Sequence, residues 1–510
     1  MKKLLKVVLT LFLLLCILVY FLWIWPFWGM PFNGQRHGTP PLTPAWALEC
    51  WLWEDDVNTA DRVDELLLGY KEHDIPVRTI ILDSPWSTRY NDFIVDTTRY
   101  PQPETWFNQL ENDGYRVVLW MTSMVNSFSK DTKFKKTADW YDDIAEKGFL
   151  AAEKHQVKWW KGRGGFIDYT NPEAMQWWQK QQQPIFDLGI DGWKLDGTAT
   201  FFSSDLFGFP LPYLHTFSGR MTTRQYMDFY YREEFKNGKK HNPEFITLAR
   251  ALDGNIIHPE GFAPIDAAPV TWVGDQEHIW QAQQGDDDPF FDDKIFGGSE
   301  GIETAIQDIL GSAELGYNVI GSDIAGFSGA EIPPRLYIRW AQFSTFCGLF
   351  LNGGHGERAL WKRSQQELEI IRKFSWLHTE LVPYMYSYVV AAHNGGKILQ
   401  RPTRGKYHYF FGDAFLIAPI YRDTLSHTVQ LPPGKWRYFF DDSRIFTGDQ
   451  TIEKEFPLDE YPVFVREGAI IPLNVERSYT GFGDRASHGY TTVLIYPDTL
   501  NQFTLSDPTS

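Results

Sequence analysis

Two aspartates close short apolar runs in this chain. Gly192-Trp193-Lys194-Leu195 ends at Asp196, with Gly197 free to turn the backbone sharply, and Thr271-Trp272-Val273-Gly274 ends at Asp275. Carboxylates at strand ends can be aimed into one space, and a carboxylate pair is the equipment for cutting glycosidic bonds. Cleavage with retention needs an ionised carboxylate beneath the anomeric carbon and a protonated one at the leaving oxygen, about 5–5.5 Å away. Lys194, two residues before Asp196, points to the same side of its strand. There it lowers the pKa of a nucleophile or binds a sugar hydroxyl. Asp275 follows Trp272 and Val273, and an apolar wall beside it would raise its pKa, as a general acid requires. A single strand-end aspartate serves equally as a helix cap or a loop hydrogen bond; the pair is what points to chemistry.

The elements that must position this pair form an alternating pattern. Apolar runs at Trp46–Leu52, Arg78–Leu82, Arg116–Trp120, Gly192–Leu195, Phe245–Leu248, Val270–Val273, Tyr317–Ile320 and Cys347–Leu351 each lead to a polar group. Those groups are Glu54 and Asp55, Asp83, Thr122, Asp196, Arg250, Asp275, Asp323 and His355. Helical periodicity fills the intervals at Thr59–Lys71, Pro103–Asn112, Asn171–Leu188, Thr223–Glu234, Glu300–Leu315 and Pro333–Ser344, and Ser364–Ala392 follows the last strand. Eight strands alternating with helices predict a (β/α)8 TIM barrel over 45–395, with its site at the strands' C-terminal ends. Beyond residue 396 short β-rich runs and turns such as Pro432-Pro433-Gly434 predict a C-terminal all-β, sandwich-like domain over 396–510.

Residues 1–28 read as a membrane anchor and 29–44 as a linker. Val7 to Trp25 are nineteen consecutive uncharged residues, and a helix of that length spans about 28 Å, close to the hydrocarbon thickness. Lys2, Lys3 and Lys6 place the N-terminus in the cytoplasm and the catalytic part outside it, and Trp23, Trp25 and Trp28 fall at the outer interface. The run is long for a cleaved signal peptide and lacks a small-residue cleavage site after it. A net charge of −17 argues against nucleic acid as a partner. Of 21 tryptophans most read as core, and some as platforms for pyranose rings. Three cysteines, Cys16, Cys50 and Cys347, have no metal-ligand spacing; Cys50 and Cys347 read as buried free thiols rather than a disulfide. The five aspartates within Asp286–Asp293 read as a solvated insertion on the barrel rim, since their spacing is not that of a calcium loop.

These motifs, in this order, resemble glycoside hydrolase family 31, which includes many α-glucosidases, α-xylosidases and some α-galactosidases. Asp168-Tyr169-Thr170-Asn171-Pro172 with Trp177-Trp178, Gly192-Trp193-Lys194-Leu195-Asp196-Gly197, Arg250, Trp272-Val273-Gly274-Asp275, Gly321-Ser322-Asp323-Ile324-Ala325-Gly326-Phe327 and His355-Gly356 carry the resemblance. So do Leu431-Pro432-Pro433-Gly434-Lys435-Trp436 and Val463 to Ala469 beyond the barrel, and the match runs from about Trp46 to Leu473. The resemblance implies Asp196 as nucleophile and Asp275 as acid/base. It also implies Arg250, Asp323 and His355 as sugar-binding residues. Beside them Asp83 and Lys194 read as partners of sugar hydroxyls, Asp83 equally as a capping or rim hydrogen bond, and Trp86, Trp120 and Trp272 read either as lining of the subsite or as core. Double displacement through these residues needs no cofactor and no metal.

The departures bear on the substrate. Only an anchor and linker precede the barrel where the family usually carries a large β domain, and the end at Ser510 is abrupt for a distal β domain. Thr122 stands where α-glucosidases have an aspartate on the 4-hydroxyl, which admits an axial hydroxyl as in galactose. The layout and Leu82-Asp83-Ser84-Pro85-Trp86 resemble a membrane-anchored branch that includes α-galactosidase-like members. The expectation is therefore a retaining exo-α-glycosidase acting on an oligosaccharide or glycoconjugate, with α-galactoside ahead of α-glucoside. Its alternatives are a transglycosylase using the same residues, an anchored glycan-binding barrel without catalysis, and the other α-galactosidase clan with its Lys-x-Asp strand end.

Overall fold

A computed structural model describes residues 2–24, 38–152, 156–196, 213–251, 263–281, 301–498 and 502–507. The acidic run Asp286–Asp293, Gly197, and Trp25 and Trp28 lie outside the described residues.

Eight parallel strands form the centre: β1 Cys50–Leu52, β2 Thr79–Leu82, β3 Arg116–Met121, β4 Gly192–Leu195, β5 Ile246–Arg250, β6 Val270–Trp272, β7 Ile320–Gly321 and β8 Phe350–Asn352. They hydrogen-bond in chain order, with β1 also pairing β8, and a parallel bridge between Asp323 and Leu351 completes the ring beyond β7. This is a (β/α)8 barrel followed by a β domain. Strand β4 shows why its sequence suits it. Alternate side chains face opposite sides, so Trp193 goes outward onto Phe186 and Phe245, while Lys194 goes inward over Trp53 and Trp272. Gly192 lets β5 approach, since a Cβ there would lie 2.8 Å from the Ile246 carbonyl oxygen.

Helices cover the outside. Pro172–Phe186 begins at Asn171, whose side chain accepts from the amides of Glu173 and Ala174. The helix expected over Ser364–Ala392 is instead two, Gln365–Glu380 and Val382–His393. Pro383 lacks the amide that would continue the first and fits the first turn of the second. The strand expected over Trp46–Leu52 begins as a 3-10 turn, Ala45–Leu48, whose Trp46 and Leu48 pack into the core. Cys347 precedes β8 rather than lying on it, and both it and Cys50 are buried free thiols.

One insertion was not foreseen. After β3 the chain runs into Met124–Ser129, which pairs with Gly162–Phe166 and through it with Val157–Trp159. This small sheet stands at the C-terminal end of the barrel. Beyond residue 400 a six-stranded sheet and two two-stranded sheets form the second unit. It is docked by Arg339, whose guanidinium is buried and donates to the carbonyls of Glu460 and Phe456, both at 2.6 Å. At the other end, Lys2–Leu22 is a helix long and apolar enough to cross a membrane, a character that a signal sequence shares.

Candidate active site

The strand ends converge on a charged cluster at the barrel's C-terminal mouth. Asp196 leaves β4 and Arg250 ends β5. Asp275 follows β6 after Gly274, whose φ of +102° makes the turn that only glycine adopts without strain. Arg250 joins the two carboxylates. Its Nε donates to Asp196 Oδ1 at 3.1 Å, and its Nη2 donates to both oxygens of Asp275 at 3.0 and 2.9 Å. One planar guanidinium thus spans the pair. The two differ in depth: the Asp196 side chain is 10 % exposed and that of Asp275 40 %.

A second ion pair lies beside the first. Lys194 Nζ donates to Asp83 Oδ2 at 2.8 Å, and both side chains are buried. Burial alone would push the Lys194 ammonium down, but Asp83, Asp196 and Asp323 hold it above its usual value. Its Nζ stands 3.8 Å from the centre of the Trp53 ring and 5.6 Å from that of Trp272, whose face also meets the Arg250 guanidinium. Trp53 Nε1 donates to Asp323 Oδ1 at 3.0 Å. Its indole lies so close over Gly353 that a Cβ there would come within 1.7 Å of the ring. Burial lifts the Asp323 carboxyl to about 7, against the pull of Lys194.

His355 stands at the rim after β8. Its Nδ1 is 2.7 Å from Asp56 Oδ1 and its Nε2 3.2 Å from Asp55 Oδ2, and its ring packs on Phe327, which stacks on Trp53. Burial first, and then the neighbouring Asp83, push the Asp55 carboxyl up to about 7.

The structure therefore brings Asp83, Lys194, Asp196, Arg250, Trp272, Asp275, Asp323 and Trp120 into one cluster, with His355 on its edge. Trp120 Nε1 donates to Asp196 Oδ2 at 3.0 Å. Trp86 lies a layer back: it packs on Phe93 and the outward-facing Trp193 and donates its indole N–H to the Trp120 carbonyl at 2.6 Å. Two local expectations change. The cation hydrogen-bonded to Asp196 is Arg250, because Lys194 is drawn to Asp83. Asp275 meets a guanidinium and solvent where an apolar wall was expected. Thr122 is fully buried, so its hydroxyl is not presented to an open pocket.

Sequence reasoning placed Asp55 at a strand end without giving it a role, and missed Trp53, Asp56 and Lys161. Trp53 to Asp56 follow β1 directly, and their place at a strand end was the available signal. Lys161 comes from the insertion after β3 and reaches the Ser84 carbonyl, beside Asp83, at 3.4 Å; no periodicity announces it.

The chain resembles known proteins over most of its length. Residues 40–286 and 290–388 match the family model described as the glycosyl hydrolases family 31 TIM-barrel domain, and 389–471 match that of the family 31 C-terminal domain. An α-xylosidase of Emericella nidulans is 24 % identical over 86 % of this chain and 54 % of its own length. Alpha-glucosidase 2 of Bacillus thermoamyloliquefaciens is 23 % identical over 90 % of this chain and 58 % of its own. The chain thus spans about half the length of these curated relatives. Among solved structures, the cycloalternan-forming enzyme of Listeria monocytogenes with a pentasaccharide substrate superposes with a TM-score of 0.76, at 21 % identity, over 92 % of this chain and 46 % of that one. A Flavobacterium johnsoniae dextranase complexed with isomaltotriose gives 0.72, at 22 % identity, over 86 % and 53 %.

Proposed function

This chain belongs to glycoside hydrolase family 31, and from that premise we propose that it is a retaining, exo-acting α-glycosidase. The observation that carries the proposal is the single Arg250 guanidinium joining a deep Asp196 to a half-open Asp275. Asp196 is the nucleophile. Its oxygen bonds to the anomeric carbon as the glycosidic bond breaks, and Asp275 gives its proton to the leaving oxygen. In the second step water attacks the anomeric carbon, Asp275 takes the water's proton, and Asp196 leaves. The depth difference suits these roles. The nucleophile lies under the sugar, and the acid lies on the solvent side, where the aglycone departs. Before substrate enters, Arg250 holds both carboxylates; binding must turn Asp275 away from it toward the leaving group.

The sugar end of the pocket is built from Asp83, Lys194, Asp323 and His355, which offer donors and acceptors to hydroxyls. Relatives named as α-xylosidase and α-glucosidase favour a terminal α-glucoside or α-xyloside. The α-galactoside expected from Thr122 is the second reading. It stands second because the relatives named above are α-xylosidases and α-glucosidases. Relatives named as isomaltosyltransferase and 1,6-alpha-glucosyltransferase make transfer to a sugar acceptor the alternative outcome of the second step. We read 1–28 as an anchor with its N-terminus cytoplasmic, 45–395 as the catalytic barrel outside the membrane, and 396–510 as its β domain.

The test is a panel of aryl α-glucoside, α-xyloside and α-galactoside with the full chain in detergent, following the first-released anomer by NMR. The α-anomer is expected from the glucoside or xyloside. A β-product would reject double displacement, and no turnover of any of the three would reject the substrate class.

A further inference from the structure

Asp196 is held from two sides by groups of different character. Arg250 is shared with Asp275 and must release that partner during the reaction. Trp120 is not shared in this way. Its Nε1 donates to Asp196 Oδ2 at 3.0 Å, and its ring is fixed on several sides. It stacks on Trp159 of the inserted sheet, with centroids 6.4 Å apart and planes 7° apart, and meets Tyr90 edge-on at 5.8 Å. Its carbonyl accepts the indole N–H of Trp86. The backbone sets the same distance. Trp120 lies opposite Lys194 in the β3–β4 register, and the Asp196 amide donates to the Met121 carbonyl at 3.0 Å. The indole N–H is therefore a stationary donor aimed at one oxygen of the nucleophile.

We propose that Trp120 is a positioning residue that assigns the two oxygens of Asp196 different tasks, a role resting on the α-glycosidase reading above. Oδ2, bound to the indole, stays out of bond formation; Oδ1, which also accepts from Arg250 Nε at 3.1 Å, attacks through its other lone pair once Arg250 has released Asp275. In the first step the Oδ1–C1 bond forms, the C1–aglycone bond breaks and the Asp275 proton passes to the leaving oxygen. Oδ2 becomes the carbonyl oxygen of a neutral ester, and its hydrogen bond weakens. In the second step the water oxygen bonds to C1 and its proton goes to Asp275. The C1–Oδ1 electron pair returns to Asp196, so negative charge reappears on Oδ2 beside the indole. A hydrogen bond to a charged acceptor is stronger than one to a neutral one. Trp120 thus favours the carboxylate over the ester and speeds breakdown of the glycosyl-enzyme.

The experiment compares wild type, Trp120→Phe and Trp106→Phe on the dinitrophenyl α-glycoside of the best-used sugar, chosen so that the first step is fast. Loss of one charge-assisted hydrogen bond slows breakdown roughly 10- to 100-fold. For Trp120→Phe, kcat and KM are expected to fall together with a burst of dinitrophenol. An enzyme trapped with a 5-fluoroglycosyl fluoride is expected to reactivate more slowly by the same factor. Trp106→Phe removes an indole N–H on the barrel's exterior, where it donates to Asp64, and is expected to show no burst. Should Trp120→Phe not fold, 3-benzothienylalanine at position 120 keeps the shape without the N–H and is read in the same way. Unchanged kcat and reactivation, or a fall in kcat/KM with no accumulated intermediate, would overturn this role alone. A wild type silent toward every aryl α-glycoside would overturn the glycosidase reading and this role with it.

Discussion

Asp196 and Glu234 are both carboxylates with almost no solvent contact, at 7 % and 1 % exposure, and the molecule treats them in opposite ways. Glu234 lies between the helices Pro172–Phe186 and Thr223–His241 on the outside of the barrel. It accepts hydrogen bonds from Tyr169 at 2.6 Å and from Trp178 and Gln182 at 2.7 Å each. Every donor is neutral, and among the described residues no cation pairs with it. Burial accordingly lifts its carboxyl to about 7 in spite of the three donors. Asp196 has a guanidinium on one oxygen and an indole on the other. A cation beside a carboxylate favours the charged form, whereas neutral donors satisfy geometry without offsetting the lost hydration. The two sites separate what is needed to bury a carboxyl group from what is needed to keep it ready to attack.

Removing the charge at each place gives the widest contrast. Asp196→Asn is expected to lower turnover by roughly 10⁴-fold or more, as loss of a nucleophile does, while sugar binding remains measurable by calorimetry. Glu234→Gln, equally buried, is expected to leave kcat within about twofold in the same assay. Comparable losses in both variants would mean that Asp196 matters only for folding. Next comes the half-exposed partner: Asp275→Asn is expected to cost about 10²- to 10⁴-fold with a poor leaving group. The cost should be far smaller with a dinitrophenyl glycoside, which leaves without a proton. Equal losses on the two substrates would remove Asp275 from the acid role.

The cations that distinguish the mouth carry a stability cost when they are deleted. Lys194→Met strands the buried Asp83 carboxylate, and loss of one partner of a buried pair costs about 3–5 kcal/mol. Urea unfolding of Lys194→Met should show a loss of that order, and Asp83→Asn in the same background should recover part of it. Additive losses in the double variant would show that the pair at 2.8 Å is not coupled.

The same contrast explains what the sequence could reveal. Strand-end polarity located Asp83, Asp196, Arg250, Asp275 and Asp323, because a barrel puts every strand's C-terminal end at one mouth. It did not say which carboxylate each cation would choose. Lys194 shares a strand with Asp196 yet bonds Asp83 from β2, a choice made by side-chain reach across the barrel. His355 meets Asp56 from 299 residues away, and Asp55 beside it, and nothing local in either segment signals the other. The inserted sheet was invisible for a different reason. Gly162 to Gly165 break its alternation, although Gly162 and Gly164 are required there because a Cβ at either would fall within 2.2 Å of a partner strand's carbonyl oxygen. With that sheet went Trp159 and Lys161, and so the packing that holds Trp120 against the nucleophile.

The smallest expected effect is the most direct test of the contrast, because it isolates burial from catalysis. The Glu234 carboxyl titrates near 7 in the folded chain and near its ordinary 4.5 when unfolded. Between these values the folded state binds more of this proton than the unfolded state, so its contribution to stability falls as pH rises through that window. Below about 4.5 the contribution is fully present, and above about 7 it is lost. The amide in the Glu234→Gln variant has no such proton to lose. The stability difference between wild type and that variant should therefore drift against wild type as pH goes from 4.5 to 7. Urea midpoints at closely spaced pH values measure this drift, and groups shared by both proteins cancel in the difference. A drift in wild type's favour would mean that Tyr169, Trp178 and Gln182 outweigh the burial of the charge. Neutral donors alone would then suffice to hold a carboxylate ionised in this protein, and Arg250 would no longer mark the chemical site apart from the structural one.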